Sequence, residues 1–205
     1  MKKQYAFYID TSRCSGCKTC QVACKDKNNL DIGVLWRRVY EIESGGWTKR
    51  GGAWINGMKA YHLSLSCNHC ENPVCAEVCP TGAMHKSKNG IVTVDARKCI
   101  GCKYCEWACP YGAPQYDEGT GVMTKCDLCE DYLQDGKNPS CVDACPMRVI
   151  DFGELQVLRK KYSGQDELYP LPEAHHTRPA ILIKPHKHVI KTGDTLARII
   201  NEEEV

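Results

Sequence analysis

Residues 99–110 read Cys99-Ile-Gly-Cys102-Lys-Tyr-Cys105-Glu-Trp-Ala-Cys109-Pro110, and the rest of the chain must fold around this run. Its spacing, C-x-x-C-x-x-C-x-x-x-C-P, is typical of a loop that binds a [4Fe-4S] cluster. The two-residue gaps allow a tight loop to direct three thiolates at three irons of one cube. The fourth cysteine cannot reach the same cube, so it is expected to bind a neighbouring cluster.

All sixteen cysteines of the 205-residue chain belong to four groups of this kind, although group one has Lys25 in place of the proline, and the middle gap is four residues in group two and eleven in group four. Group one is Cys14, Cys17, Cys20 and Cys24; group two is Cys67, Cys70, Cys75 and Cys79; group three is Cys99, Cys102, Cys105 and Cys109; group four is Cys126, Cys129, Cys141 and Cys145. Disulfide scaffolds rarely repeat C-x-x-C followed by proline, and zinc ribbons do not carry three cysteines in close succession. The groups therefore predict four [4Fe-4S] clusters.

The lengths between the groups indicate which groups exchange their fourth cysteine. Nineteen residues separate Cys79 from Cys99, which suits a compact two-cluster ferredoxin, whereas forty-two separate Cys24 from Cys67. Groups two and three are therefore expected to pair, and groups one and four to pair around them. Pairing of groups three and four is also permitted by length, but it would force groups one and two to pair across the longer gap.

The favoured pairing predicts four ligand sets. Set a is Cys14, Cys17, Cys20 and Cys145; set b is Cys24, Cys126, Cys129 and Cys141; set c is Cys67, Cys70, Cys75 and Cys109; set d is Cys79, Cys99, Cys102 and Cys105. We call the clusters that these sets would bind clusters a, b, c and d.

The same pairing predicts an α+β fold of two interleaved modules that resemble bacterial ferredoxins. Residues 1–29 with 122–153 would form one module and residues 66–121 the other. Residues 30–65 would form a β-rich insert with a hairpin. Residues 154–205 are expected to form a short helix and an extended, proline-punctuated tail that packs on the body or on a partner.

Short patterns predict the elements around the groups. Alternating β-forming residues indicate strands, and Asn-Gly between apolar runs indicates a hairpin turn. The predicted strands are Tyr5–Asp10 and 150–153, and the predicted helix is 154–162. Helical turns are predicted at Thr19–Lys27 and within 130–140, and hairpins are predicted to turn at Asn56-Gly57 and Asn89-Gly90. The tryptophans of the insert, Trp36, Trp47 and Trp54, are expected to pack within it.

Composition limits the possible partners of the chain. The formal net charge is +2 with thiols counted as neutral. Sixteen thiolates and four oxidised cubes would bring it to about −6, because a bound metal core alters the local charge. Nucleic acid is therefore not an expected partner. Charged residues make up 25% of the chain and phenylalanine is scarce, so the clusters must replace part of the hydrophobic core.

Neither a membrane span nor a signal peptide is expected. No apolar run approaches the length of a transmembrane helix, and the start, Met1-Lys2-Lys3-Gln4-Tyr5, has no apolar segment. Arg37-Arg38 lies too deep in the chain to be a twin-arginine export signal, and we interpret the pair as surface arginines.

The chemistry expected of four fully ligated cubes is electron relay. Cubes with four cysteine ligands leave no iron open to substrate, and no catalytic triad, phosphate loop or carboxylate pair stands out. The chain is therefore expected to be a non-catalytic electron carrier. Protein charges and hydrogen bonds to sulfur tune cluster potentials, so Lys18, Lys103 and Lys125, which lie beside ligands, are candidates for raising them.

Several stretches outside the ligand spacing resemble one known family. They are Ser66-Cys-Asn-His-Cys-Glu-Asn-Pro73, Cys79-Pro-Thr-Gly-Ala-Met-His-Lys86, Cys109-Pro-Tyr-Gly-Ala-Pro-Gln-Tyr116, Met123-Thr-Lys-Cys126, Ile183-Lys-Pro185 and Thr192-Gly-Asp-Thr195. The chain is similar, essentially from end to end, to the electron-transfer subunits of anaerobic dimethyl sulfoxide reductases. The wider family includes the iron–sulfur subunits of polysulfide, thiosulfate, nitrate and formate molybdoenzymes.

This resemblance implies a three-part complex of anaerobic respiration. A membrane anchor would oxidise menaquinol, a molybdopterin subunit would reduce the substrate, and this chain would carry electrons between them. Cluster d would lie at the quinol end. In the nitrate reductase relative a tryptophan replaces the cysteine that matches Cys102 and gives a three-iron cluster, so the presence of Cys102 here implies four cubes.

Export of the folded complex on the catalytic subunit's signal would place it on the outer, periplasmic face of the membrane. The alternatives are the same relay in a soluble molybdenum or tungsten enzyme, or in a formate-dehydrogenase-type complex that runs in the opposite direction. A purely structural metal module is a third possibility.

Overall fold

A computed structural model describes residues 3–189 and 197–205 of the chain. The strands in these ranges are β1 Tyr5–Asp10, β2 Arg38–Ser44, β3 Trp47–Arg50, β4 Ala53–Asn56, β5 Lys59–Leu65, β6 Met84–Lys86, β7 Val92–Val94, β8 Gln115–Asp117, β9 Val122–Thr124, β10 Ile150–Glu154, β11 Ile181–Lys184 and β12 Arg198–Ile199. The helices are α1 Thr19–Lys27, α2 Val74–Glu77, α3 Tyr104–Ala108, α4 Glu130–Gln134, α5 Ser140–Asp143 and α6 Leu155–Lys161. The mixture of short helices and small sheets confirms the α+β class. The stretch Thr192–Thr195, which contributes to the family resemblance, lies outside the described residues.

Strand β1 is the centre of the first sheet, whose order is β10-β1-β11. It pairs antiparallel with β10, with Phe7 opposite Phe152, and parallel with β11, with Ile9 opposite Ile183. Because strand side chains alternate between faces, Phe7 and Ile9 join the main core, while Tyr8 packs on the other face against α6. Strand β11, which lies within the predicted tail, completes the first sheet.

The insert carries a second sheet of order β12-β2-β5 and a separate ribbon made of β3 and β4. The hairpin predicted at Asn56-Gly57 is wrong, since β4 pairs with β3 and β5 pairs with β2. The ribbon instead turns at Gly51 and Gly52, with φ of +56° and +88°. Two successive left-handed residues suit a tight hairpin turn, and glycine adopts them at the least cost.

The tryptophans of the insert do not share one environment. Trp36 packs against the core and its indole N–H donates to the Thr124 hydroxyl at 3.2 Å. Trp47 and Trp54, on the β3–β4 ribbon, are 61% and 64% exposed. The expectation that all three pack within the insert is therefore wrong for these two.

The remaining predicted elements are present. The hairpin of β6 and β7 turns through the Asn89-Gly90 region, and α1, α4, α6 and β10 lie where the sequence patterns place them. Short two-stranded ribbons of β6 with β7 and of β8 with β9 flank group three. No helix within residues 3–189 and 197–205 is both long and apolar enough to cross a membrane.

Asp10 joins the end of β1 to the tail. Its side chain is 1% exposed, accepts the Ser12 N–H at 3.0 Å, and lies 3.2 Å from both Arg13 Nε and Lys184 Nζ. Burial alone would raise the pKa of this carboxyl, but hydrogen bonds from Ser12 and Lys184 hold the pKa below its ordinary value.

Asp10→Asn is expected to cost about 1.5–3 kcal/mol of stability, the range for hydrogen bonds to charged groups. Because folding lowers the pKa of Asp10, its contribution is complete above the ordinary carboxyl pKa of 3.8 and is lost as the pH falls through the folded-state value. Anaerobic thermal unfolding of the cluster-containing protein near neutral pH measures the loss. Asp135→Asn, which removes an exposed pair with Lys137, is the control and should change stability by no more than about 0.5 kcal/mol.

Candidate metal centres

The four cysteine groups share one backbone feature. In each group the residue before the second cysteine has a positive φ, namely +69° at Gly16, +43° at His69, +67° at Gly101 and +62° at Leu128. Non-glycine residues adopt this conformation only when their surroundings require it. The four loops are therefore repeats of one turn, including the two in which a bulky side chain occupies the left-handed position.

Set a lines one cavity in full. Its four cysteines line this cavity, whose wall also includes Val39 and Ser64 of the insert sheet. The Cys20 sulfur lies 3.2 Å from the Ser64 hydroxyl. A Cβ on Gly16 would lie 2.4 Å from the ring of His62, so only glycine allows this loop to approach β5. The insert sheet is thus one wall of this cavity.

Set d lines a second cavity. Its four cysteines lie there together with apolar side chains that include Met84 and Met123. The backbone N–H groups of these two methionines donate to the sulfurs of Cys79 and Cys99, each at 3.3 Å. Hydrogen bonds of this kind favour the thiolate that iron requires.

The members of set b meet where helix α1 packs against helix α5. Burial raises the pKa of the Cys24 thiol to about 12, Arg37 opposes that rise, and the nearby Cys141 and Cys129 thiols add to it. Cys141 is likewise buried, and burial raises its pKa. The structure therefore brings a cysteine of group one together with cysteines of group four.

Set c gathers cysteines from groups two and three beneath the tail. Burial raises the pKa of the Cys70 thiol to about 12, a hydrogen bond with Thr177 opposes this, and the thiols of Cys67 and Cys109 raise it further. Cys75 also lies close to the thiols of Cys67 and Cys109. The buried Thr177 ties this region to the tail, because its hydroxyl is 3.2 Å from the Tyr111 hydroxyl.

The spacing of the sulfur atoms does not suit a single ion. Zinc with four thiolates at about 2.3 Å holds its sulfurs roughly 3.8 Å apart. Within residues 3–189 and 197–205, no three cysteines have sulfurs that all lie within 4.8 Å of one another. A cube spreads its ligands further apart because each thiolate binds a different iron. One group does meet the 4.8 Å criterion: Glu173, His175 and His176, all exposed in the tail.

Three buried nitrogen atoms in the described part of the chain have no hydrogen-bond partner. They are Arg37 Nε, Asn68 Nδ2 and His69 Nε2. His69 Nδ1 accepts the Val92 N–H at 3.0 Å and burial lowers the His69 pKa, so the proton of the neutral ring is on Nε2. All three are therefore donors beside cysteine sets, and cluster sulfides would supply the acceptors they lack. The donor set fits iron–sulfur clusters.

The basic residues near the ligands differ in their surroundings. Lys18 Nζ pairs at the surface with Glu41 and Glu204, whereas Lys125 is buried and its Nζ donates to the carbonyls of Val92 and Cys126. Lys103 lies over the Tyr116 ring at 4.2 Å.

The interpretation of Arg37 as a surface residue is wrong. It is 1% exposed and lies among the cysteines, whereas its neighbour Arg38 is only partly buried and donates to the carbonyls of Tyr111 and Gly112. The sequence offers no local signal for this burial, which depends on the sheet of the insert.

The repeated loops and sulfur-lined cavities define a ferredoxin-like iron–sulfur protein. Residues 58–155 match the family described as "4Fe-4S dicluster domain". The B subunit of the anaerobic dimethyl sulfoxide reductase of Escherichia coli K12 is 53% identical to this chain over 205 residues, the full length of both proteins. The corresponding B subunit of Haemophilus influenzae is 49% identical over 204 residues, 99% of this chain and all of that protein.

A more distant relative is the thiosulfate reductase electron transfer subunit PhsB of Salmonella typhi. It is 39% identical over 176 residues, 85% of this chain and 88% of that protein. The chain therefore belongs to the family of iron–sulfur B subunits of anaerobic dimethyl sulfoxide reductases. It is an iron–sulfur electron-transfer protein, as its cysteine pattern predicts.

Proposed function

We propose that this chain carries electrons through four [4Fe-4S] clusters, bound by sets a to d, from a menaquinol-oxidising membrane anchor to a molybdopterin catalytic subunit. The substrate class would be that of dimethyl sulfoxide reductase, and the chain itself would catalyse no reaction. The organisation into modules 1–29 with 122–153 and 66–121, flanked by the insert and the tail, is part of this proposal. A location on the outer face of the membrane, reached by export with the catalytic subunit, is also part of this proposal.

The observation that carries the proposal is the linear order of the four sets. Cys20 of set a lies near Cys141 of set b, and Cys126 of set b lies near Cys67 of set c, all four within the main core. Cys75 of set c and Cys105 of set d share a small apolar core. The sets therefore follow one another in the order a, b, c, d, which suits a linear path for electrons with sets a and d at its ends.

Each end of this row has large exposed apolar residues beside it. Near set d, Ile100 is 66% and Trp107 74% exposed. At the other end, strands β2 and β5 pass set a and continue into the exposed β3–β4 ribbon with Trp47 and Trp54. Large exposed apolar groups mark interaction sites. We propose that the anchor binds at set d, as the resemblance implies, and the catalytic subunit at set a.

Iron analysis of the anaerobically purified complex is expected to give about sixteen irons for each copy of this chain, four per cube. An EPR-monitored redox titration should resolve four clusters without a three-iron signal. A menaquinol analogue should reduce them, and dimethyl sulfoxide should reoxidise them. Zinc in place of iron, or a persistent three-iron signal in undamaged complex, would contradict the proposal. Purification without a multi-span anchor would favour a soluble partner enzyme.

A further inference from the structure

Arg37 is a cation buried at the centre of the molecule. Its Nη1 donates to the Ser64 hydroxyl at 3.0 Å and its Nη2 to the Ser66 hydroxyl at 2.9 Å, while the guanidinium carbon lies 4.5 Å from the centre of the Phe7 ring. No carboxylate in the described part of the chain forms an ion pair with it. A buried charge without a partner is strongly destabilising, so its counter-charge must come from another source.

Arg37 lies among cysteine side chains of two sets, which become thiolates when they bind iron. The interacting residues are Cys141, Cys20, Cys126 and Cys24. Cys20 belongs to set a, and the other three belong to set b. The Ser64 hydroxyl, which accepts from Arg37, also lies 3.2 Å from the Cys20 sulfur. Arg37 therefore occupies the junction between sets a and b, and its Nε–H remains free to donate.

We propose that Arg37 is the shared counter-cation of clusters a and b, and that its fixed charge raises the reduction potential of both. The proposal rests on the proposed function, because it requires clusters at these two sets. A cube with four thiolates is anionic, and the electron that reduces it makes it more so. A nearby cation stabilises the reduced form more than the oxidised form. Arginine keeps its charge at every relevant pH.

Lys18 is a second cation near cluster a, and it can be compared with Arg37. It also lies beside a predicted ligand of cluster a, Cys17, and carries the same charge. Its ammonium group, however, pairs at the surface with Glu41 and Glu204. Solvent and these carboxylates screen its field, so it should contribute much less to the potential of cluster a.

The test is an EPR-monitored redox titration of the purified complex carrying Arg37→Gln, Arg37→Lys or Lys18→Gln. In Arg37→Gln, reduction of clusters a and b should become about tenfold less favourable, which corresponds to about 59 mV for one electron. Clusters c and d should keep their midpoints. Arg37→Lys keeps the charge and should stay near the wild-type potentials, and Lys18→Gln should shift cluster a only slightly. Cys17→Ser and Cys129→Ser identify the signals of clusters a and b.

Unchanged midpoints in a fully iron-loaded Arg37→Gln complex would overturn this inference and leave the proposed function intact. Equal shifts in the glutamine and lysine variants would also overturn it, since charge would then not be the cause. If the Arg37→Gln complex assembles incompletely, we expect the EPR signals of clusters a and b to be the ones that are missing. Loss of the signals of clusters c or d, with a and b retained, would contradict the inference. Failure of the proposed function is recognised separately, by a low iron content of the wild-type complex.

Discussion

Cys145→Ser is expected to remove or convert the cluster held by Cys14, Cys17 and Cys20, and to leave the cluster of Cys126 and Cys129 intact. The physical reason is the crossing of the fourth cysteine: Cys145 belongs to group four by sequence but lines the cavity of set a. Loss of one thiolate ligand leaves an iron with only a weak oxygen donor, so a three-iron cluster or an empty site should result. EPR and iron analysis of the purified complex measure the change.

The reciprocal variant, Cys24→Ser, is the matched control. It lies in group one but should disturb cluster b, because Cys24 interacts with Cys141 and Cys129. Two variants that each damage the cluster of the other group would support the crossed arrangement. Damage to the cluster of Cys126 by Cys145→Ser would instead show that each group closes on itself, and sets a and b would both be wrong.

Removal of iron is expected to unfold most of the chain. Helices α2, α3, α4 and α5 have four or five residues each, too few to be stable in isolation. Five cysteines, Cys20, Cys67, Cys126, Cys141 and Cys145, are buried members of the main core. A single structural metal contributes on the order of 10 kcal/mol to folding, which is as large as the whole stability of a typical domain.

Near-UV circular dichroism and anaerobic calorimetry should therefore show no cooperative transition at 25 °C or above after oxidative chelation. A sample treated with chelator but without oxidant, and shown to retain its iron, controls for effects of the reagent. A cooperative transition with an unchanged midpoint in iron-free protein would contradict the expectation. On reconstitution, free thiols, which are mostly protonated near neutral pH, must lose a proton before they bind iron, so reconstitution should release protons.

Local features of the fold follow closely from the sequence. The cysteine spacing requires four similar loops, and the positive φ values at Gly16 and Gly101 fall where the C-x-G-C pattern places glycine. The Asn89-Gly90 hairpin was predictable because a single turn signal separates two apolar runs. In the insert, Asn56-Gly57 competes with Gly51-Gly52, and the β3–β4 ribbon turns at the two glycines.

Features that depend on distant contacts were not predictable. Arg37 is part of an Arg-Arg pair of the kind usually found at the surface, and only the packing of the insert on sets a and b buries it. The tail reads as extended, but nothing in its residues specifies parallel pairing with β1. Trp47 and Trp54 are exposed because they lie on the β3–β4 ribbon, which extends away from the rest of the protein. Their residue type alone would predict burial.

The central position of β1 has a consequence for synthesis of the protein. This strand is made before the other described strands, yet both of its hydrogen-bonded neighbours, β10 and β11, are made after residue 149. At ribosomal rates of about 5–20 residues per second, roughly 7–30 s pass before the first partner of this apolar strand is made. Residues 67–109 contain every cysteine of sets c and d and emerge well before that. Assembly of the nascent polypeptide is therefore expected to begin with sets c and d in the middle of the sequence, while β1 waits for partners that are made much later.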